Sequence, residues 1–484
     1  MSHQDRMSAI VVNHQTIKQV VDWLMPATLF AGIKARRNAS WKPRMLAVAA
    51  LLWATSDLSN LKDRFGAARH IVNKIFRWQP PSGATYQGFM KMLRKWHVHL
   101  QRTITAHVRA QMKEVLPKQW EVAGYVLFAG DGSRIGVPRT AAMEAAFSPR
   151  RKKKSKPKRK GKGKRSRGRG KTSGKAKAVK KQSAESIAKK GNLPQIWLTL
   201  LWHVGTGLPW AWRSGAANSS ERDHLQQMLA ELPENSLITA DAGFVGYDFW
   251  SMNLDAGCHF VIRVGSNVRL LKQLGYARQH DHTVYLWPDT AAKKQQPPLV
   301  LRLIVIHNGK QPVYLVTNLT KSQLSDPRAA LVYQARWGIE LFFRTFKQTF
   351  GCRKLRSRSP ENGLLELDWL LMGLWCICLL GQRELAQSGK DPARLSAATA
   401  IKAFQQTQRD YRIRPDDLAE HLWAKLRTAV LDDYKRTRPK TSRNYPRKKK
   451  RPIIGAPKIT PASKLQINAA KALKQKQHEL RFTA

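Results

Sequence analysis

Apolar positions recur at helical spacing from residue 7 to about residue 118, and the pattern then shortens into strand-length runs. Met45-Leu-Ala-Val-Ala-Ala-Leu-Leu-Trp-Ala54 is a good helix former, Ser56-Asp-Leu-Ser predicts a capped start for the next helix, and Trp78-Gln-Pro-Pro-Ser-Gly interrupts the series. The run Gly124-Tyr-Val-Leu-Phe-Ala-Gly-Asp131-Gly-Ser then predicts a buried strand that delivers Asp131 at its C-terminal edge, before a turn. Leu193 to His203 and Pro209 to Arg213, joined by Gly205-Thr-Gly, predict a hairpin. Ser219-Ser-Glu-Arg-Asp predicts a capped helix start in which Glu221 serves the cap. Asn235-Ser-Leu-Ile-Thr-Ala-Asp241-Ala-Gly is a second short strand ending in an acid and a glycine turn. Residues 253 to about 322 are β-rich, with strands over Cys258–Val264, Leu299–Ile306 and Val313–Thr317 and a turn at Asn308-Gly309. Ser325-Asp-Pro leads into helices that continue to about residue 430.

One helical stretch separates into two faces. At about 100° per residue, Tyr333, Arg336, Glu340, Arg344 and Lys347 fall within an arc of roughly 80° on a single continuous helix. Ala335, Ile339, Phe342, Phe346 and Phe350 fall on the other side as a core stripe. The polar face sets a carboxylate among cations and a phenol. Ordinary i,i+4 ion pairing, Arg336 to Glu340 to Arg344, is the plain alternative to a functional role.

Charge favours the functional role. Lys and Arg number 86 against 32 acids over 484 residues, a formal net charge of +54, and such an excess suits a polyanionic partner. Residues 149 to 181 hold Lys, Arg, Gly and Ser with no acid, and a second basic tail runs from Lys435 through Lys448-Lys-Lys-Arg451. Both are expected to be non-specific phosphate-binding arms. The apolar run Trp369 to Leu380 is shorter than the ~20 residues that span a bilayer, so it predicts a buried helix and no membrane partner. The first residues lack the layout of a signal peptide, and Cys258, Cys352, Cys376 and Cys378 lack zinc-ligand spacing, which together predict a cytoplasmic chain with core thiols.

Asp131, Asp241 and Glu340 are then the candidate catalytic and metal-binding triad, two acids from strand ends and one from a helix. Oxygen-only donors suit Mg²⁺, and two such ions can activate one oxygen and stabilise another in phosphodiester displacement. Arg336 and Lys347 are placed to hold phosphate oxygens, with Tyr333 adding a phenolic hydrogen bond. Asp248, seven residues after Asp241, is a weaker candidate ligand, Glu366 and Asp368 are expected to face solvent, and His203 and His259 to be satisfied strand residues.

The order Asp, Asp, Glu with Tyr333-(2)-Arg336-(3)-Glu340-(6)-Lys347 resembles the bacterial DDE transposases of insertion-sequence family four. That resemblance implies an α/β fold, a ribonuclease-H-like catalytic core interrupted by a β-rich insertion, with helical N- and C-terminal regions. Its expected divisions are a helical, basic, DNA-binding region over 1–118; the first part of the core over 119–252, with 149–190 a disordered basic insert; the β-rich insertion over 253–322; the second part of the core over 323–400; and a helical region with a basic tail over 401–484. The implied activity is cleavage of double-stranded DNA at the element's ends and joining of the 3′-OH to target DNA, using two Mg²⁺ ions, with Mn²⁺ as substitute. The implied setting is a homodimeric synaptic complex at the bacterial nucleoid. Some such enzymes stack a flipped base on a Trp in the insertion, and Trp287 is the Trp this chain has between residues 253 and 322. A two-metal nuclease without strand transfer and a non-catalytic DNA-binding descendant are the alternatives.

Overall fold

The computed structural model describes residues 18–36, 38–148, 193–277, 282–307, 311–413, 422–431 and 455–482. The basic insert, the Asn308-Gly309 turn and the tail from Lys435 to Arg451 lie outside these residues.

The N-terminal helices are α1 (Pro43–Thr55), α2 (Leu61–Ile75) and α3 (Tyr86–Val115). Every residue of α1 except Arg44 is buried, so this helix is a core element with no solvated face. The cap of α2 is Asn60, whose side chain accepts from Lys62 N at 2.9 Å, rather than a serine of the 56–59 run.

The sheet has ten strands: β1 (Val126–Gly136), β2 (Gln195–His203), β3 (Leu208–Gly215), β4 (Ser236–Ala240), β5 (His259–Val264), β6 (Arg269–Lys272), β7 (Thr283–Leu286), β8 (Leu299–His307), β9 (Pro312–Thr317) and β10 (Lys458–Pro461). Their order is β10-β6-β7-β8-β9-β5-β4-β1-β2-β3. β2 and β3 form the expected hairpin, with Gly207 at φ +71° supplying the left-handed turn position. β1, β4 and β5 run parallel to one another, and β5, which falls within the 253–322 stretch, pairs directly with β4. β6 to β9 extend the same sheet beyond it.

The intervening and later helices are α4 (Ala141–Phe147), α5 (Glu221–Gln226), α6 (Tyr247–Asp255), α7 (Asp289–Lys293), α8 (Asp326–Ala335), α9 (Gly338–Arg344), α10 (Pro360–Gln387), α11 (Ala397–Ile413), α12 (Leu422–Arg427) and α13 (Lys464–Phe482). α10 is the organising helix, packing on α1, α3, α11, α12 and β3. By length and composition it could cross a membrane, yet 89% of its apolar stretch is buried inside the protein. Cys376 and Cys378 lie in this core, and burial pushes both thiols up to about 12, so they are packing groups rather than nucleophiles.

Two expected solvent-facing acids are instead buried or partly buried connectors on α10. Glu366, 3% exposed, accepts from the backbone N–H of Arg356 at 3.0 Å and of Ser357 at 2.7 Å. Asp368 accepts from Trp212 Nε1 at 2.7 Å and pairs with His97 Nε2 at 2.9 Å. An acid on a mostly apolar helix is retained where it satisfies donors that the fold has taken out of water. His203 takes its expected core position but is only half satisfied: it is fully buried, with Nδ1 bonded to Thr206 and Nε2 without a hydrogen-bond partner, and burial holds it down at about 4.

Candidate active site

β1 does not stop at Asp131, as its apolar run suggested. It continues to Gly136, paired with β2 after β4 has ended, and Gly136 also bridges Lys354 on its other side. The continuation is legible only in three dimensions, because Gly132-Ser133-Arg134 is polar and its extended backbone is held by β2. The parallel register between β1 and β4 ends at Gly130 opposite Ala240, so the next residues on the two strands are Asp131 and Asp241. Neighbouring strands lie about 4.8 Å apart, and this register therefore brings the two acids side by side at one sheet end. Each carboxylate is tied to nearby backbone, Asp131 Oδ1 accepting from Gly132 N of the same strand at 2.8 Å and Asp241 Oδ1 from Gly243 N of the turn after β4 at 2.8 Å.

The third acid comes from α9, and here the single-helix expectation fails. α8 ends at Ala335 and α9 begins at Gly338, with Trp337 N bonded to Gln334 O and Glu340 N to Trp337 O, three residues back instead of four. Thr345 to Thr349 then widen into a π turn, with Phe350 N reaching Thr345 O. The tightening and widening change the turn angle per residue, so the expected polar arc is divided. Tyr333 and Arg336 are buried at 8% and 4% exposure, whereas Glu340 and Arg344 are exposed. Packing against β2 fixes the break, for a Cβ at Gly338 would lie 2.1 Å from the Trp202 ring. The opposite stripe is met in part: Ile339, Phe342 and Phe346 are buried, and Ala335 and Phe350 only partly so.

Arg336 Nη2 stands 3.8 Å from Glu340 Oε1, at the long limit of an ion pair, and its Nε has no hydrogen-bond partner. Its guanidinium lies 5.5 Å from the Tyr333 ring centre and 5.1 Å from that of Trp337. Lys347 donates to Ser133 Oγ at 2.5 Å, two residues past Asp131 on the same strand. Burial and the neighbouring Arg353 lower the Lys347 ammonium, and Asp131 opposes them. The segment after the π turn is anchored to the end of β1 by Gly136 N to Arg353 O and Leu355 N to Gly136 O.

Asp131 is raised to about 6, first by burial, against its bond to Gly132 N; Asp241 and Glu340 raise it further and Arg336 lowers it. The three predicted acids and Arg336 thus share one electrostatic neighbourhood. Sequence inspection missed a fourth member, Glu221, which it had assigned to a cap. Ser220 does cap α5, accepting from Asp223 N at 3.3 Å. Glu221 is raised to about 7 by burial, then by Asp131 and Asp241, with Arg134 opposing. Asp248 is exposed on α6, and its charge is absent from those acting on Asp131. Trp287 is only 4% exposed and its Nε1 donates to Gln296 O at 2.9 Å, so it offers no face to a base.

Among the described residues, no three carboxylate, histidine or cysteine side chains stand close enough together to ligate one ion. The donor set is nonetheless the one hard divalent cations take, carboxylates with neither His nor Cys. The unpartnered Arg336 Nε beside these acids also fits a site completed by further oxygen ligands. Without metal, the buried charge at Asp131 costs stability. An acid whose folded value exceeds its unfolded 3.8 keeps its proton longer when folded, so stability falls as pH rises from about 4 to about 6 and then levels. Asp131→Asn in EDTA should therefore match wild type near pH 4 and exceed it by about 1–2 kcal/mol near pH 7.5, by urea denaturation. Equal stabilities at both pH values would contradict this placement of Asp131.

Residues 124–376 match the family described as the transposase DDE domain. The chain is 26% identical over 198 residues to the transposase InsG for insertion sequence element IS4 of Escherichia coli strain K12, covering 38% of this chain and 42% of that protein. It therefore spans under half the length of that curated relative. A solved structure of the piggyBac transposase synaptic complex with hairpin DNA aligns over 91% of this chain and 88% of its own, at 11% identity and a TM-score of 0.36.

Proposed function

The chain belongs to the transposase DDE-domain family, and from that membership we propose that it cleaves double-stranded DNA at the ends of an insertion sequence and joins the freed 3′-OH ends to target DNA. The observation that carries this reading is the register that sets Asp131, within β1, beside Asp241, just past the end of β4, with Glu340 brought into their electrostatic neighbourhood by α9. The strand order β3-β2-β1-β4-β5, with β2 antiparallel to its neighbours, supports a ribonuclease-H-like core, and β6 to β9 then form the β-rich insertion.

Asp131, Asp241 and Glu340 would hold Mg²⁺ or Mn²⁺. When bound, two such ions supply activation of the attacking oxygen and charge stabilisation of the leaving one. Glu340 turns from Arg336 toward the strand-end acids, which frees the guanidinium for a phosphate oxygen. Arg336 is held from behind by the Tyr333 ring, so Tyr333 acts by orienting the cation. Lys347, steadied by Ser133 next to Asp131, binds a second phosphate oxygen. Two DNA ends are brought together by two copies of the chain, at the bacterial nucleoid.

The deciding experiment supplies DNA carrying the element's own ends, target DNA and Mg²⁺, and follows both nicking and covalent joining. Joined products are expected. Nicking with no joined product would reassign the chain as a two-metal nuclease.

A further inference from the structure

The strand-end acids have a neighbour that the three-acid motif does not contain. Glu221 is the first residue of α5, which packs on β1 and β2 across the sheet from α9. Its carboxylate occupies the space left by a missing side chain: a Cβ at Gly132 would lie 2.5 Å from Glu221 Oε1. The same carboxylate reaches toward the second strand end, where a Cβ at Gly243 would lie 2.9 Å from Asp241 Oδ1 and 4.0 Å from Glu221 Oε2. Two glycines thus leave open the backbone on either side of Glu221, one next to Asp131 and one two residues past Asp241.

Carboxylates that share a site repel one another unless one takes a proton or a cation joins them. Glu221 has no ion pair of its own among the described residues, and Arg134 acts on it only through space. The buried guanidinium of Arg336, with Nε unpartnered and its charge felt by Asp131, is an independent sign that this cluster is built to receive something more. Resting on the proposed metal-dependent reading, we propose that Glu221 is a fourth carboxylate of the active site and helps hold a divalent cation with Asp131 and Asp241. Its place beside Asp131 on the α5 side separates it from Glu340, so the two glutamates approach the strand ends from opposite faces of the sheet. Asp131 and Asp241 are then shared, and each glutamate completes one side of the site.

The test uses the full chain and Mn²⁺ alone, without DNA, by calorimetric titration and by the Mn²⁺-induced shift in melting temperature. Wild type, Glu221→Gln, Asp241→Asn and the remote control Asp248→Asn are compared. The expected result is loss of at least about tenfold in Mn²⁺ affinity for both Glu221→Gln and Asp241→Asn, with Asp248→Asn unchanged. The metal-free melting temperature of Glu221→Gln should rise, because a buried charge is removed; a residue that merely braced α5 would lower it. Should that variant fail to fold, Glu221→Asp, which shortens the reach and keeps the charge, takes its place with the same expected loss. Wild-type affinity in the Glu221 variants with loss in Asp241→Asn overturns the fourth ligand and leaves the metal-site reading standing. Undiminished affinity in Asp241→Asn, or no binding by wild type, overturns both.

Discussion

Glu340→Ala should abolish strand cleavage and joining, by about a thousandfold or more, while leaving DNA retention intact. Several kcal/mol of transition-state charge stabilisation goes with a metal-holding carboxylate, and about 4 kcal/mol corresponds to three orders of magnitude. Binding should survive because the cations of the chain, 86 Lys and Arg, are untouched and carry the salt-dependent affinity. Glu340 is also exposed, and among the described residues its ion pairing is limited to the long contact with Arg336, so folding should be unaffected. A cleavage assay paired with gel retardation and a thermal melt separates these effects. Cleavage at the wild-type rate by a folded Glu340→Ala protein would remove this residue from the site.

Glu366→Ala should be the most destabilising of the changes considered, by about 3–5 kcal/mol. It strips two backbone N–H groups, those of Arg356 and Ser357, of their buried acceptor. It also removes an anion that acts on a buried cation, Arg64, which is 8% exposed and held down at about 10 by burial and by Arg356, with Glu366 opposing. The loop so anchored follows directly on the segment bound to the end of β1, and Lys347 lies just before it. Loss of activity should accompany loss of stability and be partly recovered in Glu366→Gln, which keeps one acceptor oxygen. Urea denaturation of the two variants checks the ranking, and a cost under about 1 kcal/mol for alanine would rule out the connector role.

The contrast between these two glutamates shows what the sequence could yield. Glu340 sat in a spaced pattern with recognisable neighbours, and Asp131 and Asp241 each closed a short apolar run, so local order along the chain pointed to them. The β2–β3 hairpin was legible for the same reason: two apolar runs and a glycine turn are enough. Glu366 offered no such signal, since its partners lie nine and ten residues earlier and its burial comes from packing on the N-terminal helices. Glu221 was masked by a true cap at Ser220, two readings of one stretch of which only the local one was visible. The break between α8 and α9 depends on Gly338 meeting Trp202, a contact between residues far apart in the chain, and no periodicity argument reaches it. Propensity and pattern thus marked acids that the fold brings into one electrostatic neighbourhood, while tertiary packing determined which further side chains join them.

The union of α1 with α10 has a consequence for how the chain is made. α1 emerges from the ribosome some 300 residues before the helix that covers it, and with no polar face of its own it must wait in a partly collapsed state. A product ended before Pro360 would leave α1 without that partner, and should be a target for chaperones and proteases rather than a stable DNA-binding fragment. On the proposed function, an amino-terminal fragment would then not persist as a free competitor for DNA ends, and restraint of transposition would have to act on the longer chain that includes α10.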